Sequence, residues 1–204
     1  MNLRFFFLLV CLALPAAAEP YAGQLSDSWR TRIANLAKPQ TLSATFKESR
    51  QTPVKKRPVI VTGTVRIDRA RGLSLAYDQS RAPIVILDEH GLLLRHPDGR
   101  EQTAPPEAGN DLRLLHALFA FDLATLEQSY AIAPIESSDR TWTLSFTRRP
   151  DSPASYRELT LTGDDTRLLT ITLAKTPNNR TEITLDPPQL DPAFTPDELA
   201  RYFR

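Results

Sequence analysis

The chain has 204 residues, 41% of them hydrophobic and 8% aromatic, with 25 basic and 24 acidic side chains and a formal charge of +1. So even a balance supplies no field for general nucleic-acid or anionic-membrane binding. The single cysteine, Cys11, can make neither an internal disulfide nor a cysteine zinc cage.

In chain order, the first eighteen residues combine Arg4, an apolar run from Phe5 to Leu14, and the small residues Ala16, Ala17 and Ala18. This pattern reads as a secretory signal peptide removed after Ala18. The run is well short of the roughly 20 residues that span a bilayer as a helix. Cys11 follows Val10 inside the run, not a small residue at its end, so it reads as part of the leader and not as a lipidation site. A thiol-free mature chain, residues 19–204, suits an oxidising compartment such as a bacterial periplasm.

Leu25, Trp29, Ile33 and Leu36 recur at helical spacing before Pro39, which predicts one amphipathic helix. From Thr41 the period becomes two. Leu42, Ala44 and Phe46 share a face, as do Val59, Val61, Gly63, Val65 and Ile67. Further strands are predicted over 73–77, 84–87, 92–95 and 100–103, with turns at 88–91 and 97–99. The pattern then changes to a short apolar helix, 111–121, carrying Leu112, Leu115, Leu118 and Phe119, which Leu123, Leu126 and Tyr130 could extend. Strand periodicity returns over 132–135, 142–146, 159–161, 169–173 and 183–185. At the end, Thr195, Pro196 and Glu198 form a capping-box signature, with Phe194 placed to staple onto Leu199.

This pattern predicts one mainly β (α+β) domain with eleven strands. Eight strands already close around their own side chains, so a curled sheet of eleven needs a helix plug, a flattened shape or a ligand. The helix over 111–121 reads equally as a cover for such a hole and as an ordinary packing helix.

Catalytic patterns are sparse: no nucleophile elbow, phosphate-cradling glycine loop or His-Glu-x-x-His occurs. His90, His96 and His116 lack the further partners a metal site needs, so no metal or cofactor is expected. Asp88 with Glu89, and Asp164 with Asp165, read as turn residues facing water rather than as a carboxyl pair across a cleft. Lys55, Lys56 and Arg57 read as a solvated hairpin loop.

The leading helix, then LSATFKESR, GTVRIDRARGLSLAYDQS and IVILDEHGLLLRHPDGR, then an apolar helix and a second run of strands, together resemble the LolA family of periplasmic lipoprotein carriers. The resemblance implies an incomplete, strongly curved antiparallel β-barrel closed by a helical lid over an apolar cavity for acyl chains. The lid maps onto Leu112, Leu115, Leu118 and Phe119, and the wall onto Phe46, Val65, Ile67, Leu73 and Leu75. In that family an arginine before a proline hydrogen-bonds the lid. Arg69 stands at the matching place, followed by Ala70 in place of the proline, and Arg71 is a second candidate. The implied function is a non-enzymatic, monomeric periplasmic carrier of acylated lipoprotein or another lipid. Its expected partners are an inner-membrane donor complex and an outer-membrane acceptor, met in transient membrane-protein contacts, without nucleic acid. A specialised carrier of glycolipid or polyene-type lipid, and a lipid-sensing regulatory module, are the alternatives.

Overall fold

A computed structural model describes residues 25–103, 110–136 and 140–204. The predicted leader and the loop Pro105 to Gly109 lie outside the described residues, as does the side chain of Leu112.

Helix α1 (Asp27–Leu36) buries Trp29 and Ile33, which lie four residues apart on one face. Six strands follow: β1 (Thr41–Gln51), β2 (Val59–Asp68), β3 (Gly72–Tyr77), β4 (Ile84–Asp88), β5 (Gly91–Arg95) and β6 (Glu101–Thr103). After helices α2 (Asn110–Ala120) and α3 (Leu123–Ser129) come β7 (Tyr130–Glu136), β8 (Thr141–Arg148), β9 (Glu158–Asp164), β10 (Leu168–Thr176), β11 (Asn179–Leu185) and the two-residue β12 (Gln189–Leu190). Helix α4 (Pro196–Tyr202) ends the fold.

The strands form a single sheet, all neighbours antiparallel, in the order β6-β5-β4-β3-β2-β1-β11-β10-β9-β8-β7, with β12 also paired to β1. Among the described residues the sheet is not closed. β6 and β7 are its edges, and the segment carrying α2 and α3 runs from one edge to the other. Leu75 on β3 and Leu173 on β10 line one pocket although four strand spacings separate them. Flat, that is about 19 Å, so the sheet is curved around its inner face.

Period-two alternation decides which residues face inward. On β1, Ala44, Phe46 and Glu48 are buried while Thr45 and Lys47 are exposed. Antiparallel register carries the inner face across the sheet: Phe46 opposes Gly63 on β2 and Leu185 on β11, and Gly63 opposes Tyr77 on β3. A side chain at Gly63 would run into the Ala76 carbonyl and meet the Phe46 ring at 2.9 Å. The missing Cβ is therefore what lets the Phe46 ring lie flat across β2 and meet Tyr77 edge-on, 5.6 Å between centroids. At the far end, Gly163 makes room for Trp142, whose indole donates to the Asp164 carbonyl and meets Trp29 of α1 edge-on.

The outer face of β2 to β5 is covered too. Ser74, Ile86 and Leu93, which share that face by register, are buried together with Phe203 beyond α4. Arg66 stacks 3.7 Å from the Tyr202 ring centroid, and Arg95 Nη1 donates to the carbonyls of Ala200, Arg201 and Phe203. These carbonyls end α4 and have no helical partner, so the guanidinium caps them. The capping box at Thr195 and Glu198 forms as predicted, and the Phe194 ring packs against Phe203, 5.6 Å between centroids.

Three expectations change in detail. The helix does not run through to Tyr130. Phe121 takes a left-handed conformation (φ 55°), α3 restarts under an Asp122 cap, and Tyr130 opens β7. The twelfth strand, Gln189–Leu190, is too short to show a period. Asp88 does not face water: its side chain is 6% exposed and is held by the Arg204 guanidinium. Asp164 is a turn residue as expected, accepting from Thr166 and Arg167, which hold its carboxyl below the usual range.

Candidate functional site: an apolar cavity under helix α2

Helix α2 lies across the inner face of the sheet. Among its described side chains, Leu115, Ala117, Leu118 and Phe119 are buried and Arg113 is exposed. Leu118 is fully buried in the core. Leu115 and Phe119, four residues apart, belong to the same core cluster and also line a pocket of about 220 Å³ whose wall includes Phe46, Leu75, Leu173 and Ile183. Phe119 also borders a second, smaller pocket of about 70 Å³, beside Leu36, Leu42, Leu168 and Leu185. Phe119 thus borders both hollows.

The end of α2 is built as a Schellman turn: Asp122 N–H donates to the Ala117 carbonyl and Phe121 N–H to that of Leu118. A phenylalanine occupies the left-handed position where glycine is usual, which costs of order 1 kcal/mol. The last helical carbonyl, that of Ala120, accepts from Arg69 Nη1 at 3.3 Å. Arg69 Nε donates to the Pro39 carbonyl at 2.8 Å, so the turn after β2 ties together the α1–β1 connection and the end of α2. Partial burial lowers the Arg69 pKa. Among the described residues Arg71 makes no hydrogen bond or ion pair with α2; it pairs with Asp68 at 3.5 Å. Beyond this tie lies an open cleft lined by Arg69, Arg113, His116 and His90.

The remaining sequence-predicted residues all belong to the core cluster, and part of them also line a pocket. Phe46 and Leu75 line the larger pocket with Leu115 and Phe119, whereas Val65, Ile67, Leu73 and Leu118 line neither apolar pocket. The structure adds a polar group that the sequence reading left out. Glu48, 6% exposed, accepts from Arg50 Nε at 2.5 Å and from Arg50 Nη2 at 2.8 Å, and Tyr77 completes the group within 3.3 Å of both. All three line the larger pocket. Burial and the Glu48 charge push the Tyr77 hydroxyl up to about 12, so it stays a donor. The signal was available: counting by two from Phe46 places Glu48 and Arg50 on the inner face. Neither carboxylate nor hydroxyl here stands beside a nucleophile. Among the described residues no group of three or more His, Cys, Asp or Glu could hold a metal ion, and no helix is long and apolar enough to cross a membrane.

Similar folds occur among solved structures. A DUF1329 family protein from Desulfovibrio piger superposes with a TM-score of 0.46 at 10% identity, covering 86% of this chain and 94% of that one. A LolA superfamily protein from Nitrosomonas europaea does so with a TM-score of 0.43 at 11% identity, over 83% and 96%. LprF from Mycobacterium bovis gives 0.39 at 12%, over 85% and 97%. These are loose likenesses of fold. No curated protein matches the chain in sequence. The sequence model of the outer membrane lipoprotein carrier protein LolA, however, matches residues 37–200, from the first strand through most of α4, and the chain therefore belongs to the LolA family.

Proposed function

We propose that this protein is a periplasmic carrier that takes the acyl chains of lipoproteins, or of a related amphiphile, into the cavity under α2 and moves them between an inner-membrane donor and an outer-membrane acceptor. The observation that carries this reading is the apolar pocket bounded by Phe46, Leu75, Leu173 and Ile183 on the sheet and by Leu115 and Phe119 on a helix tethered through Arg69. Each acyl methylene withdrawn from water contributes about 0.8 kcal/mol. A carrier for such a cargo needs a dry hollow and no catalytic group.

Release cannot then be driven by hydrophobicity alone. The closed empty state must stay close in free energy to the loaded one, so that an acceptor with modest differential affinity can take the cargo. The pocket fits this requirement. It is small while α2 is tethered, Phe119 borders both hollows, and a weak surface tether can exchange for cargo contacts. The protein acts as a monomer, without enzymatic activity or cofactor, after removal of residues 1–18.

A specialised lipid cargo is the second reading, favoured by Ala70 in place of the family proline and by the charged pair in the pocket wall. Mass spectrometry of lipid extracted from protein purified from its native host tests both, since it names the cargo. Absence of bound lipid, together with no displaceable binding of a hydrophobic dye, overturns the carrier reading. Intact mass of the exported chain checks cleavage after Ala18 without added acyl groups.

A further inference from the structure

A charged pair in the wall of an oily cavity needs an explanation other than stability. Glu48 sits among apolar residues: across the inner face its row runs through Val61, Ile183, Ile171, Leu161 and Leu144. Replacing a buried ion pair by apolar residues of similar volume is often neutral or stabilising, so packing alone gives no reason for it.

The pair is also preorganised. Glu48 holds Arg50 through both Nε and Nη2, and Nη2 in turn donates to the Tyr77 hydroxyl at 3.2 Å. Among the described residues Arg50 Nη1 donates to no protein group, and the Arg50 side chain is 45% exposed while lining the pocket. A fixed guanidinium edge therefore stands where the head of an amphiphile would lie if its tail occupied the pocket between Leu75, Leu115 and Ile183. The neighbouring carboxylate cancels most of the guanidinium charge. Such an edge offers hydrogen bonds to a neutral acceptor but little net attraction for an anion.

From this we infer that Glu48, Arg50 and Tyr77 form a head-group filter that accepts acyl chains joined through ester or amide carbonyls and rejects free fatty carboxylates of the same length. This rests on the carrier reading of the pocket. Glu48 acts here by electrostatics and by positioning Arg50, and Arg50 touches the ligand. A filter of this kind has a physical use, because a cavity that takes only the tail and leaves the head at its mouth cannot by itself distinguish a free fatty acid from a neutral acyl ester.

The test is displacement of the fluorescent hydrophobic probe N-phenylnaphthylamine by monooleoylglycerol and by oleate, at neutral pH and below the aggregation concentration of either. Wild type is expected to prefer monooleoylglycerol about tenfold. Glu48→Gln leaves the guanidinium uncompensated, so the ratio should fall to one or reverse. Arg50→Gln leaves the carboxylate uncompensated and should widen the ratio. Thermal unfolding identifies which variants fold, and the wild-type ratio stands without either. Equal binding of the two amphiphiles by wild type, or a ratio unmoved in a folded variant, overturns the filter while leaving the carrier reading intact. Failure of wild type to bind probe or amphiphile overturns both.

Discussion

Arg69 Nη1 donates to the carbonyl of Ala120 across 51 residues of sequence, and this bond joins the turn after β2 to the last residue of α2. The carbonyl is one of those a helix leaves without an internal partner, so a donor there holds the helix end at little cost to the helix itself. Arg71, two residues on, is occupied by Asp68.

Arg69→Leu removes the bonds to Ala120 and Pro39 and should loosen α2. At a partly exposed site the loss is on the order of 1 kcal/mol, about a fivefold rise in the open population. Amide hydrogen exchange along α2 should accelerate accordingly, and cargo, once bound, should be released more slowly to an acceptor. Arg71→Leu is the contrast, with α2 exchange near wild type. Equal exchange in wild type and Arg69→Leu removes the tether from the mechanism.

Leu115 and Leu118 lie on the same helix with different surroundings. Leu118→Ala should cost about 2–5 kcal/mol of stability, seen in urea unfolding, because its side chain is enclosed by the core. Leu115→Asp places a charge in the pocket and should weaken hydrophobic-dye binding by tenfold or more, since a desolvated unpaired charge costs several kcal/mol. Leu118→Ala, although destabilised, should keep a dye affinity closer to wild type than Leu115→Asp does. The reverse order would mark α2 as a plain core helix.

Gly63→Ala tests the packing that shapes the pocket. The added methyl meets backbone at Ala76 and the Phe46 ring, both closer than a Cβ tolerates. Overpacking of this kind costs about 1–3 kcal/mol. It should also push Phe46 off Tyr77, so dye affinity should change along with the unfolding midpoint. A midpoint within error of wild type shows that the sheet absorbs the methyl by shifting.

His116 gives α2 a pH dependence. Burial lowers its pKa from 6.5, opposed by the Asp122 carboxylate and aided by the Arg69 charge. The unfolded chain therefore takes up the proton first as pH falls, and stability declines below about 6.5, with no effect from this group above it. Urea midpoints measured near neutrality and near pH 5.5 should differ more for wild type than for His116→Gln. Parallel pH profiles for the two proteins assign the decline to other groups.

Much of the fold was legible because its information is local. Ten-residue strands such as β2 show their inner face as Val61, Gly63, Val65 and Ile67, and α4 announces itself through Thr195, Pro196 and Glu198 within four positions. The break between α2 and α3 was not legible. A phenylalanine in a left-handed turn carries no glycine signal, and Leu123 and Leu126 continue the helical period across it. β12 was hidden for the opposite reason, since two residues have no period and owe their strand conformation to Leu42 and Ser43.

The sequence by itself determined the alternation of strand and helix, the inward face of each strand, and the apolar character of α2, because backbone geometry repeats every two or 3.6 residues and the side chains must follow. Tertiary structure alone decided which arginine reaches Ala120, that Arg204 buries Asp88 from 116 positions away, and that Tyr77 completes the Glu48–Arg50 pair from two strands over. Those choices depend on sheet register and on how far the sheet curls, which are set by the summed packing of distant side chains and by no local segment.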